Sequence, residues 1–156
     1  MIVPSECVLS LGASDVIAVL AALVAGLSAL YARWAAEEAK RANELALLAR
    51  RKAIYDAFYE LKMHMEQRGF RPDMEQVSKF YYPSRDAAFY VKESLSSEIA
   101  KYYELCFKVA DLARLGNGLY PNESEEVKDA FKQAREISEE IDSALKAVVK
   151  KYAANG

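Results

Sequence analysis

The sequence predicts an all-α protein: an N-terminal transmembrane helix continuing into a long helix, then a distal bundle of three to four helices. Three observations carry this. Residues Val16 to Ala32 contain no charge, whereas charge is almost continuous from Arg33 onward. Beyond that point apolar residues recur at spacings of three and four, the helical period. Gly (6) and Pro (4) are scarce and β-branched residues are scattered, so strands have little support. The expected divisions are 1–14 (a short extracytoplasmic segment), 15–34 (the span), 35–68 (a coiled-coil-like juxtamembrane helix) and 69–156 (the bundle).

The 156 residues suffice for one compact domain plus an anchor. The chain is 53% hydrophobic beside 28% charged, so the apolar residues must be unevenly distributed. A net charge of -2 supplies no field to draw in nucleic acid or an acidic substrate. Two cysteines, Cys7 and Cys106, exclude a disulfide scaffold, and in the topology below they face different compartments.

As a helix, the uncharged run of 17 residues spans roughly 25 Å, and its flanks bring it near the ~30 Å hydrocarbon thickness. Tyr31 and Trp34 suit the interfacial belt. A signal peptide needs a basic n-region, yet residues 1–15 carry Glu6 and Asp15 and no Lys or Arg. Cys7 precedes the run, the wrong place for a lipoprotein cleavage site. The remaining alternative is a buried core helix of a soluble protein. Arg33, Lys40 and Arg41 follow the run, so the positive-inside bias puts the tail in the cytoplasm of a cell with an inner membrane, and residues 1–14 outside. Ala18, Ala22 and Gly26, with Ala21, Ala25 and Ala29 beside them, form small-residue lines that favour lateral association.

No Gly or Pro follows Trp34 until Gly69. Ala35, Ala39, Ala42, Ala46, Ala49 and Ala53 keep a coiled-coil rhythm, with charged residues between them. Leu47, Ile54, Phe58, Leu61 and Met65 form a second, larger stripe. These features predict one helix from about 14 to 68, whose stalk pairs with other copies and whose distal part joins the bundle. The basic triplet Arg50-Arg51-Lys52 stands ~25 Å beyond the membrane on an upright helix, out of reach of anionic lipid. It reads as a solvated face.

Gly69 and Pro72 end the long helix, and residues 73–82 read as a short helix or connector. Ser84, after Pro83, is the expected N-cap of the next helix. Ala88, Val91, Leu95, Ile99, Tyr102, Cys106, Val109 and Ala113 form its apolar stripe, with a kink expected near Ser94, Ser96 and Ser97. Gly116-Asn117-Gly118 ends it and lacks the pattern of a phosphate loop. Asn122 and Glu125 form an expected capping box for a last helix carrying Ala130, Ala134, Ile137, Ile141, Ala144 and Val148.

Candidate chemistry is sparse. His64 is the single histidine, which excludes paired-histidine zinc and di-iron motifs. Glu60 lies one turn before it, so a hydrogen-bonded pair and a plain structural role are both open. Cys106 reads as a small core residue. Met63, Met65 and Met74 read as bundle filler. The ten tyrosines, with doublets at 81–82 and 102–103, either line a partner patch or cap a small core. No catalytic residue, metal or cofactor is expected.

Arg51-Lys52-Ala53-Ile54-Tyr55-Asp56-Ala57-Phe58 resembles a pattern in uncharacterised bacterial membrane proteins with one N-terminal span and a helical cytoplasmic tail. Phe80, Arg85-Asp86-Ala87-Ala88-Phe89-Tyr90 and Ser97-Glu98-Ile99-Ala100-Lys101-Tyr102 are similar to its later blocks. Phe89-Tyr90-Val91 departs from that pattern's Phe-Leu-Phe-like triplet. The resemblance covers about residues 30–110 and implies the topology, with no activity attached.

These readings lead to a non-enzymatic, membrane-anchored helical module that self-associates and presents its bundle to a cytoplasmic protein partner. The alternative is a membrane-perturbing effector of a defence or toxin system, acting by clustering of the span. An enzyme centred on His64 and Glu60 stands third, and nucleic acid is not an expected partner.

Overall fold

A computed structural model describes residues 12–115 and 125–153. Its elements are α1 (Ala13–Arg68), α2 (Met74–Lys79), α3 (Tyr81–Tyr90), α4 (Glu93–Leu115) and α5 (Glu125–Ala153). No strand occurs among the described residues, so the fold is all-α. Cys7, the turn expected at Gly116–Gly118 and the capping role expected of Asn122 lie outside the described residues. The chain divides into two compact units, residues 1–43 and 44–156.

The described residues of the first unit are the N-terminal half of α1, uncharged from Val16 to Ala32 and charged beyond. Asp15 lies in its first turn, where a carboxylate complements the helix dipole. The Asp15 carboxylate accepts from the Gly12 N–H at 3.1 Å. α1 is assigned as helix without interruption between Tyr31 and Glu44. It stops at Gly69, whose φ of +58° is the left-handed conformation that closes helices. The Gly69 N–H donates to the Met65 carbonyl at 2.8 Å.

The second unit is a bundle built on the distal end of α1. Ile54, Phe58, Leu61 and Met65 are buried there, as their spacing predicts. They meet Val77 of α2, Phe80, Ala87 of α3, and Leu95, Ile99, Tyr102, Cys106 and Val109 of α4 in one core. Phe58 sits at its middle, with ring centroids 5.3 Å from Tyr102 and 6.3 Å from Phe80. α5 contributes Val127, Ala130, Ala134, Ile141 and Leu145. The backbones of α4 and α5 approach closely, because their buried faces carry small residues such as Cys106, Ala110, Ala130 and Ala134. α1 approaches less closely and meets the other helices through long side chains.

Between residues 80 and 96 the sequence expectation is corrected. Ser84 is not an N-cap; it is buried in the first turns of a helix that already starts at Tyr81. Phe80 ends α2 and begins α3, and its carbonyl accepts from the Ser84 N–H at 3.0 Å. Pro83 costs nothing in that first turn, where N–H groups have no helical acceptor. The kink expected at the serines is a full break, placed earlier at Val91–Lys92. Val91 is extended (φ −125°, ψ 173°), and the Ser96 N–H starts the next helix on the Lys92 carbonyl at 2.9 Å. The break changes the phase of the apolar stripe, so Ala87 is buried and Ala88 exposed.

Candidate functional site

The apolar half of α1 is exposed on every side. From Ser14 to Ala46 each residue whose side chain is described is exposed, with Leu27 at 67% and Trp34 at 60%. This helix is long and apolar enough to cross a membrane, and none of its apolar window is buried inside the protein. The Tyr31 and Trp34 rings lie 6.0 Å apart, at the end of the run.

All eight small residues singled out for association, Ala18, Ala22, Gly26, Ala35, Ala39, Ala42, Ala46 and Ala49, are exposed. A Cβ built on Gly26 meets nothing within 4 Å. Continuity of the helix reveals a register that the separate lines at four-residue spacing concealed. Ala18, Ala21, Ala25, Ser28, Ala32, Ala35, Ala39 and Ala42 follow one alternation of three and four. The sequence continues it at Ala46, Ala49 and Ala53. On this seam Ala22 flanks the line and Gly26 falls off it. Ala21, Ala25, Ser28 and Ala32 therefore share one line of the helix with the stalk alanines.

The bundle places the titratable side chains in structural roles. His64 does not pair with Glu60; its Nε2 accepts from the Asp73 backbone N–H at 2.9 Å, joining α1 to the start of α2. Asp73 in turn caps α2 by accepting from the Glu75 N–H at 2.9 Å. Burial, with Arg68 nearby, holds the imidazole below its ordinary pKa, so it stays a neutral acceptor. Cys106 is fully buried and its thiol is pushed up to about 12 by that burial, although the hydrogen bond with Tyr102 acts the other way. Such a thiol is no nucleophile at neutral pH.

Two members of the basic triplet make local contacts, and Arg50 is exposed. Arg51 Nε donates to the Tyr90 carbonyl at 2.8 Å, occupying an acceptor at the α3 terminus. Lys52 pairs with Asp56 one turn on, at 2.7 Å. Burial separates the members of the tyrosine doublets. Tyr102 is core, while Tyr81, Tyr82, Tyr103 and Phe107 form a chain of ring contacts at 5.3–6.0 Å toward the surface.

One cluster was not anticipated. Lys62 is buried, with its ammonium 3.0 Å from Glu139 and 3.6 Å from Asp142 of α5. Asp142, also buried, pairs with Lys146 at 2.8 Å. Burial pulls the Lys62 pKa down, but Glu139 and Asp142 outweigh it and leave it above the ordinary lysine value. Burial likewise pushes Asp142 up, and Lys146 with Lys62 outweighs it, holding the carboxyl below its ordinary value. No protein-family model matches the chain, and comparison with curated proteins and with solved structures gives no match either.

Proposed function

We propose that this chain is a non-enzymatic, membrane-anchored helical module whose copies associate side by side and hold their bundles toward a cytoplasmic protein partner. The observation that carries the reading is the contrast within α1: one half is apolar and wholly uncovered, and the other is the spine of a closed core. The first half spans the bilayer, with residues 1–14 outside and the bundle in the cytoplasm by the positive charges after Ala32. The small-residue seam lets two such helices approach closely enough for backbone packing, which drives association where lipid removes the hydrophobic force between helices. His64 and Cys106, the side chains best suited to chemistry, are both committed to the bundle's structure, which favours a binding role over catalysis.

Site-directed crosslinking tests the association. In a Cys7→Ser background reconstituted into liposomes, Ala39→Cys on the seam is expected to form disulfide dimers on mild oxidation. Glu37→Cys, off the seam, is expected to form few. Equal yields at both positions, or monomer at both, would remove the seam as the interface.

A further inference from the structure

A cavity of about 440 Å³ opens beside the last turns of α1, with α4 and the first half of α5 completing its walls. That volume lies in the range of pockets that hold small molecules, roughly 300–1,000 Å³. Met65, Phe131 and Ala134 supply apolar surface, and Tyr102 adds a buried aromatic ring. The charged lining residues are Lys62, Arg135 and Glu66.

These three differ in what they have left to offer. The Lys62 ammonium is already held by Glu139 and Asp142, so its charge is largely answered inside the bundle. The exposed Arg135 side chain makes no ion pair among the described residues. A guanidinium is a planar fork of donors whose best partner is a carboxylate, bound through two parallel hydrogen bonds. Here that fork borders a cavity of mixed lining, in which Met65, Phe131 and Ala134 offer apolar surface. We propose that the cavity binds a small amphipathic carboxylate, its acid group on Arg135 and its apolar body against Met65, Phe131 and Ala134.

Glu66 gives the proposal a sign test. Its carboxylate repels that of the ligand, so neutralising it tightens binding, whereas neutralising Arg135 weakens it. A pocket that takes molecules only for their hydrophobicity responds to neither change.

The probe is 4-phenylbutyrate, measured by equilibrium dialysis against the full chain in lipid nanodiscs, with empty nanodiscs as the baseline. Saturable uptake above baseline is expected. Arg135→Gln is expected to weaken it by about tenfold or more, the effect of losing a charged hydrogen bond, and Glu66→Gln to strengthen it several-fold. Both positions are exposed, and unchanged helicity confirms that both variants fold. 4-Phenylbutanol, the same body without the acid, is expected not to compete. Oleate added to the nanodisc lipid separates two sources of the same chemistry: displacement of the probe assigns the site to membrane fatty acids, and no displacement to water-soluble acids. Uptake no greater than that of empty nanodiscs at millimolar probe overturns the proposal. So does binding that is indifferent to both substitutions.

Discussion

Replacing Lys62 by Met removes the cation between Glu139 and Asp142 while keeping most of the side chain's volume. Asp142 then retains Lys146 alone, at 2.8 Å, and its Oδ1 is already buried without a hydrogen-bond partner. Breaking a fully buried ion pair by removing one partner costs about 3–5 kcal/mol, since the remaining charge loses its compensation. Two features place this case lower. Lys146 stays, and the Glu139 side chain is 67% exposed, so water reaches one end of the network. The expected loss is about 2–3 kcal/mol, read as a lower urea midpoint at unchanged slope for the full chain in nanodiscs. Lys62→Met with Asp142→Leu is expected to return to within about 1 kcal/mol of the parent, because an apolar pair removes both desolvation costs together. The pH dependence follows the same network. Asp142 titrates below the ordinary carboxylate value in the folded state, so its contribution is present above about pH 4 and is lost as pH falls through the folded value. Without Lys62 the folded value moves up toward the unfolded one, so less of the remaining stability is lost on acidification. A single variant as stable as the parent, or a double variant no better than the single, would refute this reasoning.

Two further substitutions test other parts of the bundle. Phe58→Ala empties the centre of the aromatic cluster, where Phe58 is 0% exposed, and is expected to cost about 3–5 kcal/mol, a large part of a typical domain's stability; a loss under ~1 kcal/mol in chemical denaturation would show that the cluster is not the core. His64→Gln keeps an acceptor for the Asp73 N–H but cannot titrate. With the folded His64 pKa lowered, the parent is fully stabilised above the unfolded value near 6.5 and loses stability as pH falls below it, by up to about the 1 kcal/mol of one hydrogen bond. Thermal midpoints at pH 7.5 and 5 are therefore expected to separate more in the parent than in the variant, and equal separations would leave the histidine without this role.

What the sequence displayed and what it hid follow from how each feature is encoded. Ile54, Phe58, Leu61 and Met65 were legible because a stripe at helical spacing has few other uses, and all four are buried. The serines beyond the Val91–Lys92 break advertise weak helix propensity, and so they draw the expected kink past it. A contact from outside the segment, Arg51 on the Tyr90 carbonyl, meets the chain beside the break and leaves no mark in the local sequence. Ser84 illustrates the limit of capping rules: a serine after proline looks like a cap, yet its hydroxyl donates to the Tyr81 carbonyl at 2.7 Å from inside the helix. The Lys62 network was invisible for a different reason. Lysine and aspartate within amphipathic helices count as solvent-facing in any periodicity argument, and only the packing of α1 against α5 shows that they are buried. The cavity was equally out of reach, since it is a property of three helices meeting.

The seam leads to a last prediction, because the same alanines act in two solvents. An alanine methyl buried from water is worth about 0.8 kcal/mol. A fragment of residues 44–156 keeps Ala46, Ala49 and Ala53, which amounts to ~2.4 kcal/mol per copy and ~5 kcal/mol for a pair at complete burial. Association costs about 4–15 kcal/mol in lost translational and rotational freedom, so this remnant leaves no net affinity at micromolar concentration. In the proposed bilayer arrangement the balance changes: the spans would be confined to one plane and one orientation, which raises their effective concentration, and Ala18 to Ala42 would add close backbone packing. Residues 44–156 form a compact unit with the core intact. The fragment is therefore expected to remain helical and monomeric at tens of micromolar by sedimentation, while the full chain crosslinks in liposomes. A fragment that dimerises as readily as the full chain would move the interface from the seam to the bundle surface, where the Tyr81–Tyr103–Phe107 rings are the first place to look.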